Sequence, residues 1–130
     1  MAEPYRVLIT GSRDWEKPEV VRFALDYAFC EAAHSGRALT VVHGACPRGA
    51  DAQAADYANY LISRDLPVKT EPHPANWQLE GKRAGFIRNA RMVNLGADLC
   101  LAFIHNGSRG ASHTARLAEE AGIPVRRWTA

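Results

Sequence analysis

The sequence predicts an α/β protein with three layers, in which a mostly parallel sheet of about five strands lies between two layers of helices. Short apolar runs recur along the chain without the alternation of half-exposed strands, which indicates strands buried on both faces. Between these runs, apolar residues are spaced three or four positions apart, as in amphipathic helices. Strands that alternate with helices favour a parallel sheet, because each connection crosses one face of the sheet.

The first half of the chain contains two strand–helix units and a weaker third strand. A strand at 6–10 precedes a helix at about 18–36, and a strand at 39–42 precedes a helix at about 50–62. The expected apolar face of the first helix is Val20, Phe23, Ala24, Tyr27 and Ala28. Residues 67–71 form a short strand that we expect at an edge of the sheet, because it contains a proline and charged residues.

The second half continues the alternation of helices and strands. After a loop at 73–77, a third helix is predicted at 81–95 and a fully buried strand at 98–104. A helix at about 111–121 and a last strand at 123–128 follow. The first half of the third helix is basic, with Lys82, Arg83, Arg88 and Arg91. A solvated helix face is the simpler interpretation of that cluster. However, the small residue Gly85 would also allow a ligand to approach Arg88 and Asn89.

Composition and charge exclude several classes of protein. With 130 residues, 47% hydrophobic and 23% charged, we expect residues 1–130 to form one domain. A net charge of +2 provides no general polycation, so nucleic acid is the least favoured partner. No apolar run approaches the roughly 20 residues that cross a bilayer, and no signal-peptide pattern is present, so we expect no membrane association. Three cysteines without a CxxC spacing favour reduced thiols and a cytoplasmic protein.

Three glycine-containing turns carry the main functional signal. Each turn follows a predicted buried strand and precedes a helix, at 11–13, 43–51 and 106–110. Backbone N–H groups at the start of a helix bind anions, and the carboxyl ends of parallel strands lie at one edge of a sheet. We therefore expect the three turns to converge on one phosphate-binding site. Neither a Walker A loop nor a GxGxxG loop is present.

Side chains in these turns refine the expectation. Arg13 next to a glycine and a serine would bind phosphate through its forked guanidinium. Asp51 has two interpretations: a cap for its own helix, which is the simpler one, or a ligand for a ribose hydroxyl. Cys46 precedes a helix that could lower its pKa, although an inert small residue is the simpler interpretation. His43 has no metal-ligand spacing with Cys46 or His73, so we expect no structural metal.

Two tryptophans, Trp15 and Trp77, fall in predicted loops, where either could be exposed and stack on a base. The alternative is that each packs over the core. Apolar helix residues such as Phe23, Tyr27 and Phe86 could also pair two subunits, so a homo-oligomer remains an open alternative.

Taken together and in order, the turns resemble the SLOG superfamily, and more closely its small single-domain YspA/YpsA-related branch of bacteria and their phages. The resemblance rests on Gly11 to Trp15, on His43 to Ala45 with Gly49 to Asp51, and on Asn106 to Gly110. It covers nearly the whole chain. It implies a Rossmann-like fold that binds nucleotides or nucleotide-derived ligands at the carboxyl ends of the strands.

The same superfamily includes the LOG phosphoribohydrolases, which release a base from a nucleoside 5′-monophosphate. Their GGxGTxxE signature corresponds here to a turn with Ser108 at the second glycine, Gly110 at the third and Ala111 at the threonine. Thr114 occupies the position of the glutamate. The resemblance therefore implies phosphate binding more directly than it implies hydrolysis.

Two functional hypotheses follow. The first is a sensor or binding module for a mononucleotide, NAD or ADP-ribose type of ligand, with no required cofactor. The second is a nucleotide N-glycosidase, for which Asp14 or Asp51 would have to supply the carboxylate. The predicted ligand-binding residues are Gly11, Ser12, Arg13, His43, Gly44, Ala45, Gly49, Asp51, Trp77, Arg88, Asn89, Gly107, Ser108, Arg109 and Gly110.

Overall fold

The computed structural model describes residues 2–130, which form one five-stranded, all-parallel sheet with helices on both faces. The strands are β1 (Tyr5–Gly11), β2 (Leu39–His43), β3 (Val68–Pro72), β4 (Leu99–Ile104) and β5 (Val125–Thr129). The helices are α1 (Pro18–His34), α2 (Ala50–Ser63), α3 (Trp77–Glu80), α4 (Ala84–Asn94) and α5 (Arg109–Glu120). The predicted α/β architecture is confirmed.

The strand order is β3-β2-β1-β4-β5, so β1 lies at the centre of the sheet. From β1 the chain first adds strands on one side and then crosses to add β4 and β5 on the other side. Ligands of open α/β sheets bind outside the carboxyl ends of the strands where this order reverses, which here is between β1 and β4. The predicted position of β3 at an edge is also confirmed.

Alternate residues of β1 enter two different cores. Val7 and Ile9 pack with α1 and α2 on one face of the sheet. Leu8 packs with Met92 of α4 and Ala118 of α5 on the other face. This two-sided burial explains why the strand reads as a continuous apolar run. Among residues 2–130, no helix combines the length and the apolar composition that crossing a membrane requires.

The predicted apolar face of α1 is partly wrong. Phe23 is 66% exposed, whereas Val21 and Leu25 are fully buried with Ala24 and Ala28. Both sets of residues have helical spacing, so periodicity alone could not separate them. The buried set has small residues in its centre, which lets the helix approach the sheet closely.

Of the two interpretations of Trp15, packing over the core is confirmed, because the residue is only 3% exposed. Its ring packs against Phe103 of β4, with 5.6 Å between ring centroids. Its indole N–H donates a hydrogen bond to the carbonyl of Lys17, at 3.0 Å. The turn after β1 therefore folds back over the sheet, which local sequence did not indicate.

The third helix, predicted at 81–95, begins later than expected, because Gly81–Arg83 form a 3₁₀ turn and α4 starts at Ala84; the short helix α3 precedes this turn and was not predicted. Gly81 has a φ of 62°, in the left-handed region that interrupts a helix. The predicted loop also ends earlier than expected. Asn76 caps α3, because its side-chain oxygen accepts a hydrogen bond from the Leu79 N–H at 3.0 Å.

Candidate functional site

A cavity of about 540 Å³ lies at the carboxyl ends of the central strands, where the strand order reverses. All three glycine turns contribute to its wall, as their positions in the sequence predicted. Eight of the predicted ligand-binding residues line the cavity: Gly11, Arg13, Asp51, Trp77, Arg88, Asn89, Ser108 and Gly110. The other seven lie outside its lining: Ser12, His43, Gly44, Ala45, Gly49, Gly107 and Arg109.

Ser12 joins the first turn to the third turn. Its backbone N–H donates to the carbonyl of Phe103 at 2.8 Å, and its hydroxyl accepts a hydrogen bond from the N–H of His105 at 2.8 Å. The side chain is buried between the ends of β1 and β4. Its hydroxyl thus holds the two turns in register beneath the cavity.

The start of α2 packs tightly against the first turn. A Cβ at Gly49 would lie 2.3 Å from the carbonyl oxygen of Ser12, and a Cβ at Gly11 would lie 2.3 Å from the Cβ of Ala50. The N–H of Ala50 donates to the same Ser12 carbonyl at 3.2 Å. This N–H is therefore used inside the protein, unlike the open anion site that we expected at this helix start. Gly49 also has a φ of 76°, which favours glycine.

Asp51 is a buried carboxylate on the wall of the cavity, with 6% of its surface exposed. Its Oδ2 accepts a hydrogen bond from the N–H of Gly44 at 3.0 Å, so it holds the second turn and does not cap its own helix. Its Oδ1 is buried and has no hydrogen-bond partner within residues 2–130. Burial raises the pKa of Asp51, because the charged form loses solvation.

Arg88 and Asn89 point inward from α4, so the interpretation of a solvated helix face is wrong for these two residues. The Arg88 guanidinium donates to the carbonyl of Gly44 and, at 3.2 Å, to the carbonyl of His73. Its Nε donates to the side-chain oxygen of Asn89 at 2.6 Å. Arg88 therefore ties α4 to the ends of β2 and β3, and Lys82 on the same segment remains exposed.

Trp77 begins α3 and lines the cavity with its side chain about half exposed. The Arg13 guanidinium lies over its ring, 5.6 Å from the ring centroid, at a distance typical of a cation–π contact. A Cβ at Gly85 would lie 3.4 Å from the indole. The small residue on α4 thus lets the indole lie close to that helix, next to Arg13.

The N-terminus of α5 opens onto the cavity through Ser108 and Gly110. Gly107, with a φ of 62°, and Asn106, with a φ of 52°, form the turn that precedes it. In the described structure no side chain caps this helix start. The first N–H groups of a helix have no partner within the helix, so they are available to an anion here.

His105 and Asp14 form a pair on the cavity wall. Sequence reasoning named Asp14 only as a possible carboxylate of a glycosidase and did not single out His105. The Nδ1 of His105 lies 2.9 Å from an Asp14 carboxylate oxygen. This hydrogen bond lowers the pKa of Asp14. Their positions in the sequence could have indicated the pair, because Asp14 follows β1 and His105 follows β4. These are the neighbouring strands between which the strand order reverses.

Cys46 and His43 are both shaped by burial. Burial raises the pKa of the Cys46 thiol, which agrees with the simpler interpretation of an inert residue and not with a pKa lowered by the nearby helix. His43 is buried beneath the second turn, and its Nδ1 accepts a hydrogen bond from the Ala45 N–H at 3.0 Å. Burial lowers the pKa of His43.

Thr114, which the sequence resemblance aligned with the LOG glutamate, is fully buried and does not line the cavity. Its hydroxyl donates to the carbonyl of Gly110 one turn earlier in α5, at 2.9 Å. This position therefore supplies no acid or base to the cavity. Asp14 and Asp51, from the first two turns, are the carboxylates among the lining residues.

Comparison with known proteins identifies relatives of this chain. The model of the YspA, cpYpsA-related SLOG family matches residues 5–79, which include the first two turns and the start of α3. The Gene 61 protein of Mycobacterium phage D29 is 46% identical over 120 residues, which cover 92% of this chain and 93% of the phage protein. No solved structure gives a significant match. The chain belongs to the YspA, cpYpsA-related SLOG family.

Proposed function

We propose that the protein binds a nucleotide or nucleotide-derived ligand in the cavity between the ends of β1 and β4, as a sensor or ligand-binding module. Membership of the SLOG family suggests a role in binding or processing a nucleotide-related ligand. One observation carries the proposal: the same cavity contains an open helix N-terminus, an arginine and a buried carboxylate oxygen without a partner.

In this proposal, the phosphate binds at the start of α5. Ser108 and Gly110 line this end, and within the described chain a Cβ on Gly110 would meet no atom within 4 Å apart from its chain neighbours and the nearby backbone of its own helix. The helix start provides N–H donors, and Arg13 from the opposite turn provides a charged fork for the phosphate oxygens. Arg48 and Lys82 also line the cavity and add positive charge.

In the same proposal, the sugar binds next to Asp51. A buried oxygen without a hydrogen bond is costly, so the Oδ1 of Asp51 calls for a donor from a ligand. A ribose hydroxyl is such a donor. The base would then lie near Trp77, whose exposed ring can stack on it next to Arg13.

Calorimetric titration with mononucleotides, NAD and ADP-ribose tests this proposal. We expect binding by at least one of these ligands, and we expect Arg13→Ala to weaken it by about 1.5–3 kcal/mol through loss of a charged hydrogen bond. Arg64→Ala is the matched control, because Arg64 lies exposed beyond the opposite end of α2. Absence of both heat and a thermal shift with all of these ligands would contradict the proposal.

A second candidate is N-glycosidic cleavage of a nucleoside monophosphate. It is favoured by the position of Asp14 and Asp51 on the cavity wall, since a cationic sugar in the transition state needs a carboxylate nearby. The buried Thr114 is evidence against the LOG arrangement. For this candidate we expect the protein to release free base from a nucleoside monophosphate, as detected by chromatography. Binding of the nucleotide without release of free base would exclude it.

A further inference from the structure

The pair formed by Asp14 and His105 has no role in binding as described above. Both residues line the cavity, and the Nδ1 of His105 lies 2.9 Å from the carboxylate of Asp14. A carboxylate at this nitrogen orients an imidazole and stabilises its protonated form. Its Nε2 has no hydrogen bond to any residue from 2 to 130 in the structure, so this nitrogen is available to a ligand.

The pair is held by the backbone of two neighbouring strand ends. Asp14 follows β1 and His105 follows β4, and Ser12 bridges the two turns through its contacts with Phe103 and His105. These contacts use the N–H of His105 and leave its imidazole unconstrained except by Asp14. Substitution of either side chain therefore leaves the bridge between the turns in place.

His105 also lies one turn away from the proposed phosphate position. The N–H of Ser108 donates to the carbonyl of His105 at 3.2 Å, and Ser108 and Gly110 line the cavity at the start of α5. The buried, unpaired Oδ1 of Asp51 on the same wall is independent evidence that this cavity receives a ligand. A phosphate ester bound at the helix start would therefore share this cavity with the imidazole of His105.

We propose that the protein hydrolyses the phosphate ester of its nucleotide ligand, with His105 as the general acid and Asp14 as the residue that positions it. This inference rests on the proposed function, because it needs the phosphate at the start of α5. It differs from N-glycosidic cleavage in the bond that breaks.

In the proposed step, water attacks phosphorus while the bond from phosphorus to the 5′-oxygen of the nucleoside breaks. The electron pair of that bond goes to the 5′-oxygen, which receives the proton from Nε2 of His105. The products are the nucleoside and inorganic phosphate, and a proton of the attacking water returns to the imidazole through solvent. Arg13 and the N–H groups of α5 stabilise the charge on the phosphoryl oxygens.

The test is a product analysis of the purified protein with nucleoside 5′-monophosphates, combined with calorimetric measurement of binding. We expect nucleoside and inorganic phosphate in equal amounts, without free base. His105→Gln should lower kcat by about 100-fold or more while changing the binding constant only a few-fold.

Asp14→Asn tests the positioning role, because it keeps the size of the side chain but loses the charge. We expect a lower kcat with an unchanged KM, and partial recovery in Asp14→Glu. Asp26→Asn is the matched control, since Asp26 contacts Tyr57 on the outer side of α1, away from the cavity.

Each outcome separates this proposal from the binding proposal. Nucleotide binding without phosphate release overturns the hydrolysis and leaves the binding function intact. Release of free base with ribose 5′-phosphate also overturns it, in favour of the glycosidase. If His105→Gln releases phosphate as fast as the native protein, His105 is not the general acid. Absence of any nucleotide binding overturns both proposals.

Discussion

Gly44 shows how a single missing side chain shapes the cavity. It lies between the Asp51 carboxylate, which accepts its N–H, and the Arg88 guanidinium, which donates to its carbonyl. A Cβ at this position would lie 2.5 Å from an Arg88 nitrogen and 2.9 Å from an Asp51 oxygen. Gly44 is therefore outside the cavity lining but determines where two lining residues lie.

Gly44→Ala is accordingly expected to destabilise the protein by about 1–3 kcal/mol, because a buried charged network must move to admit the methyl group. Gly110→Ala is the matched control. A Cβ at Gly110 has open space and α5 gains a better helix former, so its stability should be unchanged or higher. Urea denaturation of both variants measures the difference, and equal stabilities would contradict the packing argument.

Asp51 is expected to contribute to ligand binding at the expense of stability. Its pKa is raised above the unfolded value by burial, so the stability contribution of its protonated form is present below about pH 3.9. That contribution is lost as pH rises through the folded pKa. Asp51→Asn, which stays neutral, should therefore be more stable than the native protein at neutral pH.

The same variant should bind the ligand about 10-fold or more weakly, because a hydrogen bond to a charged acceptor is lost. Denaturation midpoints at several pH values and calorimetric titration measure the two effects. Asp56→Asn, on the exposed side of α2, is the control and should change neither. A destabilised Asp51→Asn at neutral pH would show that the carboxylate is compensated in the folded protein.

At the scale of elements, the edge strand β3 is tied to the centre of the sheet by a side-chain bridge that passes over β2. Arg6 of β1 donates two hydrogen bonds to the carboxylate of Glu71, at 2.7 and 2.9 Å. His73 lies 2.7 Å from the same carboxylate, and its carbonyl accepts from Arg88. The bridge therefore connects the edge strand to α4 and to the cavity wall.

The hydrogen bonds from Arg6, and a further one with His73, lower the pKa of Glu71 to about 2. A depressed pKa gives stability that is present above the unfolded pKa, near 4.5, and is lost as pH falls towards 2. Glu71→Gln should therefore lower the free energy of unfolding by about 1 kcal/mol at pH 7, a modest loss because the pair is partly exposed. Near pH 2 the same substitution should lower it very little. Denaturation at several pH values tests this, with Glu119→Gln at an exposed pair as the control that should show a smaller loss.

Most elements could be predicted from sequence because their signals are local. The apolar runs of β1, β2 and β4 and the glycines after them located three of the five strands within one or two residues. The predicted start of the third helix was wrong, because helical spacing does not show that Gly81 adopts a positive φ. The apolar face of α1 was ambiguous for a similar reason, since two adjacent stripes have the same period.

For the whole molecule, the connection between the first turn and the core depends on Trp15. Its ring packs on Phe103, which in turn stacks on Trp128 of β5 with 5.2 Å between centroids. The side-chain amide of Gln53 on α2 donates to the Trp15 carbonyl at 2.7 Å. One residue thus links β1, α2 and β4 on the side of the sheet away from α4 and α5.

Trp15→Ala is expected to destabilise the protein by about 3–5 kcal/mol, because it leaves a large cavity in the core. Trp77→Ala removes the same side chain from the cavity rim and should change stability by only about 0.5 kcal/mol while weakening nucleotide binding. Thermal and urea denaturation with calorimetric titration compare the two variants. Similar losses of stability would contradict the assignment of Trp15 to the core and Trp77 to the site.

The sequence by itself determined the α/β class, the order of elements and the three turns, because apolar periodicity and glycine positions report local backbone structure. Tertiary structure alone decided which side chains in those turns face the cavity. In the folded protein, Ser12 and His43 support the turns from beneath the cavity and Arg88 is buried. Asp14 pairs with His105, which is 91 residues away in the sequence. The physical reason is that the strand order β2-β1-β4 brings distant turns together, and no local pattern records which strands become neighbours.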